Sequence, residues 1–400
     1  MEGRLPFLTR WSARRFDLAV LVLALAARLA ILAVFRWKGL GDAYGRDLYF
    51  NLALSWLGRA PMPAFDATHP PLFTLIIAAV LGVLGTSSEY PILLLNVAAG
   101  AASPLLLRRF AGRLVDEKTA RLAALWLAVD PAVLFFTPQL QTETVFVLMM
   151  LGFLHGVVKL WNKPLSPSRL LLLGLWGGLC SSLRSVFAAF PAALFFAAWR
   201  ARGLKHALAF CLLLAPGWFF PSALWTARNY SKYGRLVPLS GQMGWTLYEG
   251  FTLDRDTVRL HPEQMAAEAK AAGVAERDIG KYFFDKTMAF VREDPLSAAV
   301  IVAGKALLYW RPWLYDPYTL WQRAVMGAYF TVLFAFALLG ARTAWASGAP
   351  WGPVWAAFAY HTAAHAVFLT TLRYRVPLEP FLCLLAAAGA MPLLRGKREA

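Results

Sequence analysis

The feature that most constrains this chain is its succession of apolar stretches, at 17–35, 90–107, 121–136, 143–160, 206–225, 323–341, 351–371 and 377–394. A helix rises about 1.5 Å per residue and a hydrocarbon core is about 30 Å thick, so a span needs roughly 20 mainly apolar residues. Most of these stretches meet or approach that length. With 59% hydrophobic and only 16% charged residues in 400, against roughly 25% charged in soluble domains, the chain reads as one all-α polytopic membrane domain over 1–400.

Orientation follows from Lys and Arg, which gather in cytoplasmic loops. The basic segments are 4–15, 108–121, 159–169, 200–205, Arg342 and 395–398. They face one side together only under one topology. In it, the stretch 170–199, about 45 Å as a single helix, is a helical hairpin turning near Ser181, Ser182 and Arg184 on the far side. The stretch 70–85, opening with His69-Pro70-Pro71, and the shorter 298–310 then lie at the outer interface without crossing. This predicts about ten spans, within about eight to twelve, with both termini cytoplasmic. The first run lacks a small-residue cleavage site and reads as a retained span. Two outer regions result: a first loop, 36–89, with an amphipathic stretch at 47–57 and interfacial helices, and a second region, 227–322, with a short helix at 262–272. The net charge of +17, from 40 basic and 23 acidic residues, is thus accounted for by membrane orientation and not by nucleic acid. Cys180, Cys211 and Cys383 lie inside apolar runs without paired spacing, as packing residues do.

Chemistry is expected at the outer face. In GDAYGRDLYFNLALSWLGRA, Asp42 and Asp47 follow the first span. A partly shielded carboxylate aimed into a cleft can serve as a general base, although Asp47 also stands where a helix N-cap is expected. Glu143, in TPQLQTETVFVLMMLGFL, opens a span at its outer mouth, where a carboxylate equally suits the helix dipole. His69 can orient an acceptor or ligate a metal, or simply serve its turn. Arg228 (with Arg235 following), Arg373, Arg375 and Arg184 fall outside against the orientation rule. Their planar forks of donors match a lipid phosphate, and snorkelling to ordinary head groups is the plainer use. Arg28 lies within the first span, where a charge costs roughly 2.5–3.5 kcal/mol on insertion scales, so it must face protein. Asp130, before Pro131, reads as a helix-shaping residue. His361 and His365, four apart in an apolar span, suit hydrogen bonds between helices. No Walker loop, Rossmann fingerprint or H-E-x-x-H motif occurs, so no soluble nucleotide is implied.

Taken in order, GDAYGRDLYFNLA, HPPLFTLIIAAVLGVLG, TETVFVLMMLGFL, SLRSVFAAFP, WTARNYSKYGRLVPLS, GWTLYEG and TLRYRVPLEPFLCLLAAAGA span nearly the whole chain. Together they resemble the polytopic glycosyltransferases of the GT-C superfamily, in particular bacterial relatives of protein O-mannosyltransferases and of the lipid A aminoarabinose transferase. The resemblance implies a GT-C-like fold and transfer of a sugar from a polyprenyl-phosphate carrier to a glycan, lipid or protein acceptor. It places the active site on the outer side of a bacterial cytoplasmic membrane. The family's first-loop acid matches Asp42, which stands farther before Tyr49 than is usual; Asp47 stands nearer, and the choice between them stays open with Asp42 preferred. The second family acid matches Glu143. The arginines at the carrier phosphate match Arg373 and, less closely, Arg375, with Arg228 and Arg184 as further candidates. His69, Tyr49 and Tyr374 are the candidates for positioning acceptor or sugar. No ligand spacing demands a metal, and a divalent cation stays open. A transporter or lipid flippase is the rival reading, but the internal repeat common in such proteins is not found.

Overall fold

The computed structural model describes Leu8 and residues 11–39, 49–252, 262–313 and 319–395. The regular structure among these residues is all helical, with no strand. In chain order the helices are α1 (Ala13–Trp37), α2 (Asn51–Trp56), α3 (Pro71–Leu84), α4 (Tyr90–Ala111), α5 (Glu117–Ala128), α6 (Pro131–Phe136), α7 (Glu143–Trp161), α8 (Pro167–Leu183) and α9 (Phe190–Arg202). There follow α10 (Leu204–Tyr233), α11 (Met243–Phe251), α12 (Pro262–Ala271), α13 (Ile279–Glu293), α14 (Pro295–Tyr309), α15 (Leu320–Ala346), α16 (Gly352–Val367), α17 (Leu372–Arg375) and α18 (Glu379–Arg395).

Six helical runs among the described residues are long and apolar enough to cross a bilayer: α1, α4, α7, α10, α15 and the run Leu372–Leu394. The chain is an integral membrane protein, and its outward faces agree. Leu18 and Val22 on α1, Leu212, Phe219 and Leu224 on α10, and Leu338 on α15 are all exposed. A stripe that large has no place in water. The other expected spans are shorter helices, α8, α9 and α16, or are interrupted. The stretch 121–136 is one such case. Pro131 has no N–H to give and crowds the preceding turn, and the Asp130 side chain accepts from the Val133 N–H at 2.9 Å, starting α6 afresh. Arg28 is fully buried and donates to the carbonyls of Ala24 at 3.1 Å and Ala128 at 3.0 Å, so its charge faces protein.

The break in the stretch 170–199 falls at the expected Arg184, and the start of the second outer region needed adjustment. The stretch 170–199 is divided at Arg184, whose extended backbone (φ −140°, ψ 108°) separates α8 from a short 3-10 turn, Ser185–Ala189, leading into α9. The second outer region does not begin as a loop at 227, because α10 stays helical to Tyr233. At 30 residues it is about 45 Å long, half again the hydrocarbon thickness. Upright in the bilayer, a helix of that length carries its last, polar turns clear of the lipid.

Where lipid surrounds a bundle, close backbone approach replaces the hydrophobic drive between helices. A Cβ on Gly217 of α10 would lie 2.1 Å from the Leu171 carbonyl of α8, and one on Gly174 of α8 would lie 2.1 Å from the Leu214 carbonyl. Gly340 and Gly389 join α15 to α18 in the same way, each with a carbonyl of the other helix within 2.0 Å of the missing carbon. Gly217→Ala is therefore expected to cost about 1–3 kcal/mol, read as a lower melting midpoint in detergent. An unchanged midpoint would mean that the helices part without penalty.

Candidate active site

Glu143 opens α7 with its side chain fully buried, and Thr142 before it makes no side-chain cap. One carboxylate oxygen, Oε1, accepts from two guanidiniums. Arg184 Nη1 reaches it at 2.8 Å from the extended break after α8. Arg373 Nε reaches it from α17. Glu143 Oε2 is buried with no hydrogen-bond partner among the described residues. Two positive charges thus meet one negative charge, and each guanidinium spends only one of its roughly five N–H donors on it.

Aromatic rings wall this group. The Arg184 guanidinium lies 5.6 Å from the Phe146 ring and 5.4 Å from the Tyr374 ring, within cation–π range. Tyr374 stacks on His365 at 4.7 Å with the planes 7° apart, and His365 stacks on Tyr309 at 5.7 Å and on His361 at 5.9 Å. His365 Nδ1 lies 3.1 Å from the Leu369 carbonyl at the end of its own helix. The two histidines therefore join α16 to α14 and α17 by ring stacking, and among the described residues no hydrogen bond from either to a neighbouring helix takes the place their spacing had suggested.

The first outer loop closes the other side. Tyr49 is buried, with its ring 5.0 Å from the His69 ring and 5.4 Å, edge to face, from Phe73 of α3. Burial, helped by the Arg373 charge, pushes the His69 imidazole down to about 4, so His69 is neutral at physiological pH. Burial raises the Tyr49 phenol above its ordinary value, with Arg373 opposing. Arg373 acts on both, which ties loop and arginine into one electrostatic unit. Asp42 and Asp47 lie outside the described residues.

The four arginines expected at a lipid phosphate divide into two kinds. Arg184 and Arg373 come together at Glu143. Arg375 is fully buried and committed elsewhere, with Nε 3.3 Å from Glu379 Oε1 and Nη1 on the carbonyls of Tyr309 at 3.3 Å and Arg311 at 2.8 Å. Arg228 forks onto Asp66, at 2.6 Å to Oδ1 and 2.5 Å to Oδ2. Asp66 is buried in the first outer loop and also accepts from Lys232 at 2.9 Å, from the Tyr233 hydroxyl at 2.6 Å and from Trp56 at 3.2 Å. This lock fastens the loop to the overhanging end of α10. Sequence reasoning passed over Asp66, although an acid three residues before His69 was a readable signal. Arg235, the other basic residue there, pairs with Asp278.

Burial acts to raise the Asp66 carboxyl, but the hydrogen bonds from Arg228, Tyr233 and Lys232 outweigh it and hold the group well below the ordinary carboxylate range. A depressed folded pKa contributes stability above the unfolded value, near 3.9, and that contribution is lost as pH falls through the folded value. Asp66→Asn is expected to lower the melting midpoint at pH 7, a loss of about 1–3 kcal/mol. The difference from wild type should shrink only below about pH 4. A difference that vanished at pH 6 would contradict the lock.

Among the described residues, no group of three or more His, Cys, Asp or Glu could hold a metal ion. Among the described site residues the carboxylate is Glu143, and it is already shared by two cations.

The family model described as dolichyl-phosphate-mannose-protein mannosyltransferase matches residues 68–225. That segment carries His69, Glu143 and Arg184. No curated protein matches the chain. Among solved structures, the Archaeoglobus fulgidus oligosaccharyltransferase AglB in complex with an inhibitory peptide and a dolichol-phosphate is similar at 12% identity and TM-score 0.54, over 94% of this chain and 50% of that one. The same organism's oligosaccharyltransferase in complex with Zn and sulfate is similar at 14% identity and TM-score 0.54, over 93% of this chain and 48% of that one. Its form tethered with an acceptor peptide containing the NVT sequon gives 13% and 0.51, over 94% and 50%. The chain spans about half the length of these neighbours. The likeness is one of fold, shared with the archaeal oligosaccharyltransferase, and the mannosyltransferase model matches less than half of the chain.

Proposed function

We propose that the chain is a GT-C glycosyltransferase that moves a sugar from a polyprenyl-phosphate carrier to an acceptor hydroxyl or phosphate. It acts as one domain over 1–400, with residues 36–89 and 227–322 on the outer side of a bacterial cytoplasmic membrane and both termini inside. The observation that carries this reading is the meeting of Arg184 and Arg373, drawn from segments far apart in sequence, at one buried acid beneath the first outer loop. Two guanidiniums that, among the described residues, each give one donor to the carboxylate between them make a seat for an anion.

In the proposed reaction, the acceptor O–H gives its proton to an outer-loop carboxylate, Asp42 by preference and Asp47 otherwise. The acceptor oxygen attacks the anomeric carbon from the face opposite the phosphate, so the configuration inverts. The bond from carbon to phosphate oxygen breaks, and its electron pair stays on polyprenyl phosphate. Arg184 and Arg373 meet that growing negative charge. Glu143 keeps the two arginines oriented before donor arrives, and its Oε2, without a partner among the described residues, is available to the sugar or acceptor. Neutral His69 and the rings of Tyr49 and Tyr374 shape the sugar's seat. The carrier bond supplies the energy, so no ATP is consumed.

The test is a transfer assay on the full chain in lipid nanodiscs with labelled polyprenyl-phosphate hexoses or pentoses and envelope acceptors. Labelled product together with free polyprenyl phosphate is the expected result. Movement of intact sugar lipid across vesicles without bond cleavage would instead establish a flippase.

A further inference from the structure

The turn that carries Arg373 is gripped from one side by α14. Lys305 is only 1% exposed, and its ammonium donates to the carbonyls of Val367 at 2.8 Å and Phe368 at 2.9 Å, where α16 ends. It also lies 4.4 Å from the centre of the Phe251 ring of α11. No carboxylate is among its partners in the described residues. One helical turn on, the Tyr309 hydroxyl donates to the Tyr374 carbonyl at 3.1 Å. Main-chain carbonyls of Tyr309 and Arg311 accept from Arg375, as described above. The helix thus holds the chain on both sides of Arg373. Gly250 of α11 closes the turn from elsewhere, since a Cβ there would stand 1.7 Å from the Phe368 carbonyl oxygen and 3.0 Å from Lys305 Nζ.

A buried ammonium is costly, and an apolar side chain of the same length would fill the space without that cost. What only the ammonium supplies is directional donors on carbonyls that the end of a helix leaves unpaired, together with a positive charge at the negative end of the helix dipole. Phe368 needs such an anchor, because its backbone (φ −84°, ψ −104°) has left the helical path.

We propose that Lys305 is a positioning residue, which fixes the turn after α16 and so holds the Arg373 guanidinium in line with Arg184 for the donor phosphate. The proposal rests on the reading of Arg373 as a phosphate ligand. The test measures binding of a long-chain polyprenyl phosphate without sugar to the full chain in detergent, by native mass spectrometry. Lys305→Met is expected to weaken binding about tenfold, or ~1.4 kcal/mol, Lys305→Arg to retain most of it, and Lys305→Met to add nothing once Arg373 is alanine. Lys305→Gln reads the same effect if the methionine variant does not fold. Arg373→Ala weakening binding while Lys305→Met and Lys305→Gln leave it unchanged overturns the proposal alone. So does an equal loss from Lys305→Met with and without Arg373. Arg373→Ala leaving binding intact would remove the phosphate reading, and this proposal with it.

Discussion

Asp42→Asn is expected to cut sugar transfer by about 10²- to 10⁴-fold, the range in which a positioned general base contributes. Asparagine keeps the shape of the side chain and loses its proton affinity. Donor binding should therefore survive and the loss should fall on kcat, with the donor KM little changed. Asp47→Asn is expected to cost less, and the double variant no more than Asp42→Asn alone, because one acceptor hydroxyl needs one base. The reverse ranking would transfer the role to Asp47. Full activity in both variants and in the double would remove the outer-loop base altogether. Rates at saturating donor, with the donor KM measured alongside, decide among these outcomes.

Arg373→Ala is expected to lower transfer by about 10²- to 10³-fold, as losing one donor to a developing anion does elsewhere. Its side chain is 28% exposed, so the arginine is not sealed off as Arg375 is. Unlike the Asp42 variant, this one should weaken donor binding as well as slow the chemistry. Arg373→Lys restores the charge without the fork and should recover only part of the loss. Arg375→Ala provides the contrast. It strips Glu379 of a buried partner and opens carbonyls at Tyr309 and Arg311, so it should reduce yield and melting midpoint more than the donor KM. If Arg375→Ala instead raised the donor KM with a normal melting curve, the two arginines would have been assigned in the wrong order.

Much of the bundle was legible because spans are long and lipid forces them to be apolar. The stretch 143–160 became α7 almost residue for residue, while 121–136 broke where Pro131 follows Asp130. The overhang of α10 was not legible. Residues 226–233 are polar enough to read as loop, and their helix is held by Asp66, 162 positions from Arg228. The site was partly legible for the same reason. Arg184 and Arg373 stood out as basic residues outside against the orientation rule and Glu143 as an acid at the outer mouth of a span, but their meeting depends on contacts 41 and 230 positions apart. Arg228 and Arg375 stood out on the same grounds and are spent on fastening. For Arg375 the partner was within reach, since Glu379 follows at the four-residue spacing that aligns side chains on a helix.

The overhang of α10 also makes the bilayer a participant. A rod of fixed length that must keep its apolar part in hydrocarbon answers a thicker or thinner membrane by changing its tilt, at fractions of a kcal/mol per Å of mismatch. Its projecting end is tied through Asp66 to the loop that bears Tyr49 and His69. Turnover should therefore vary with acyl-chain length in reconstituted vesicles, and severing the tie by Asp66→Asn should flatten that dependence.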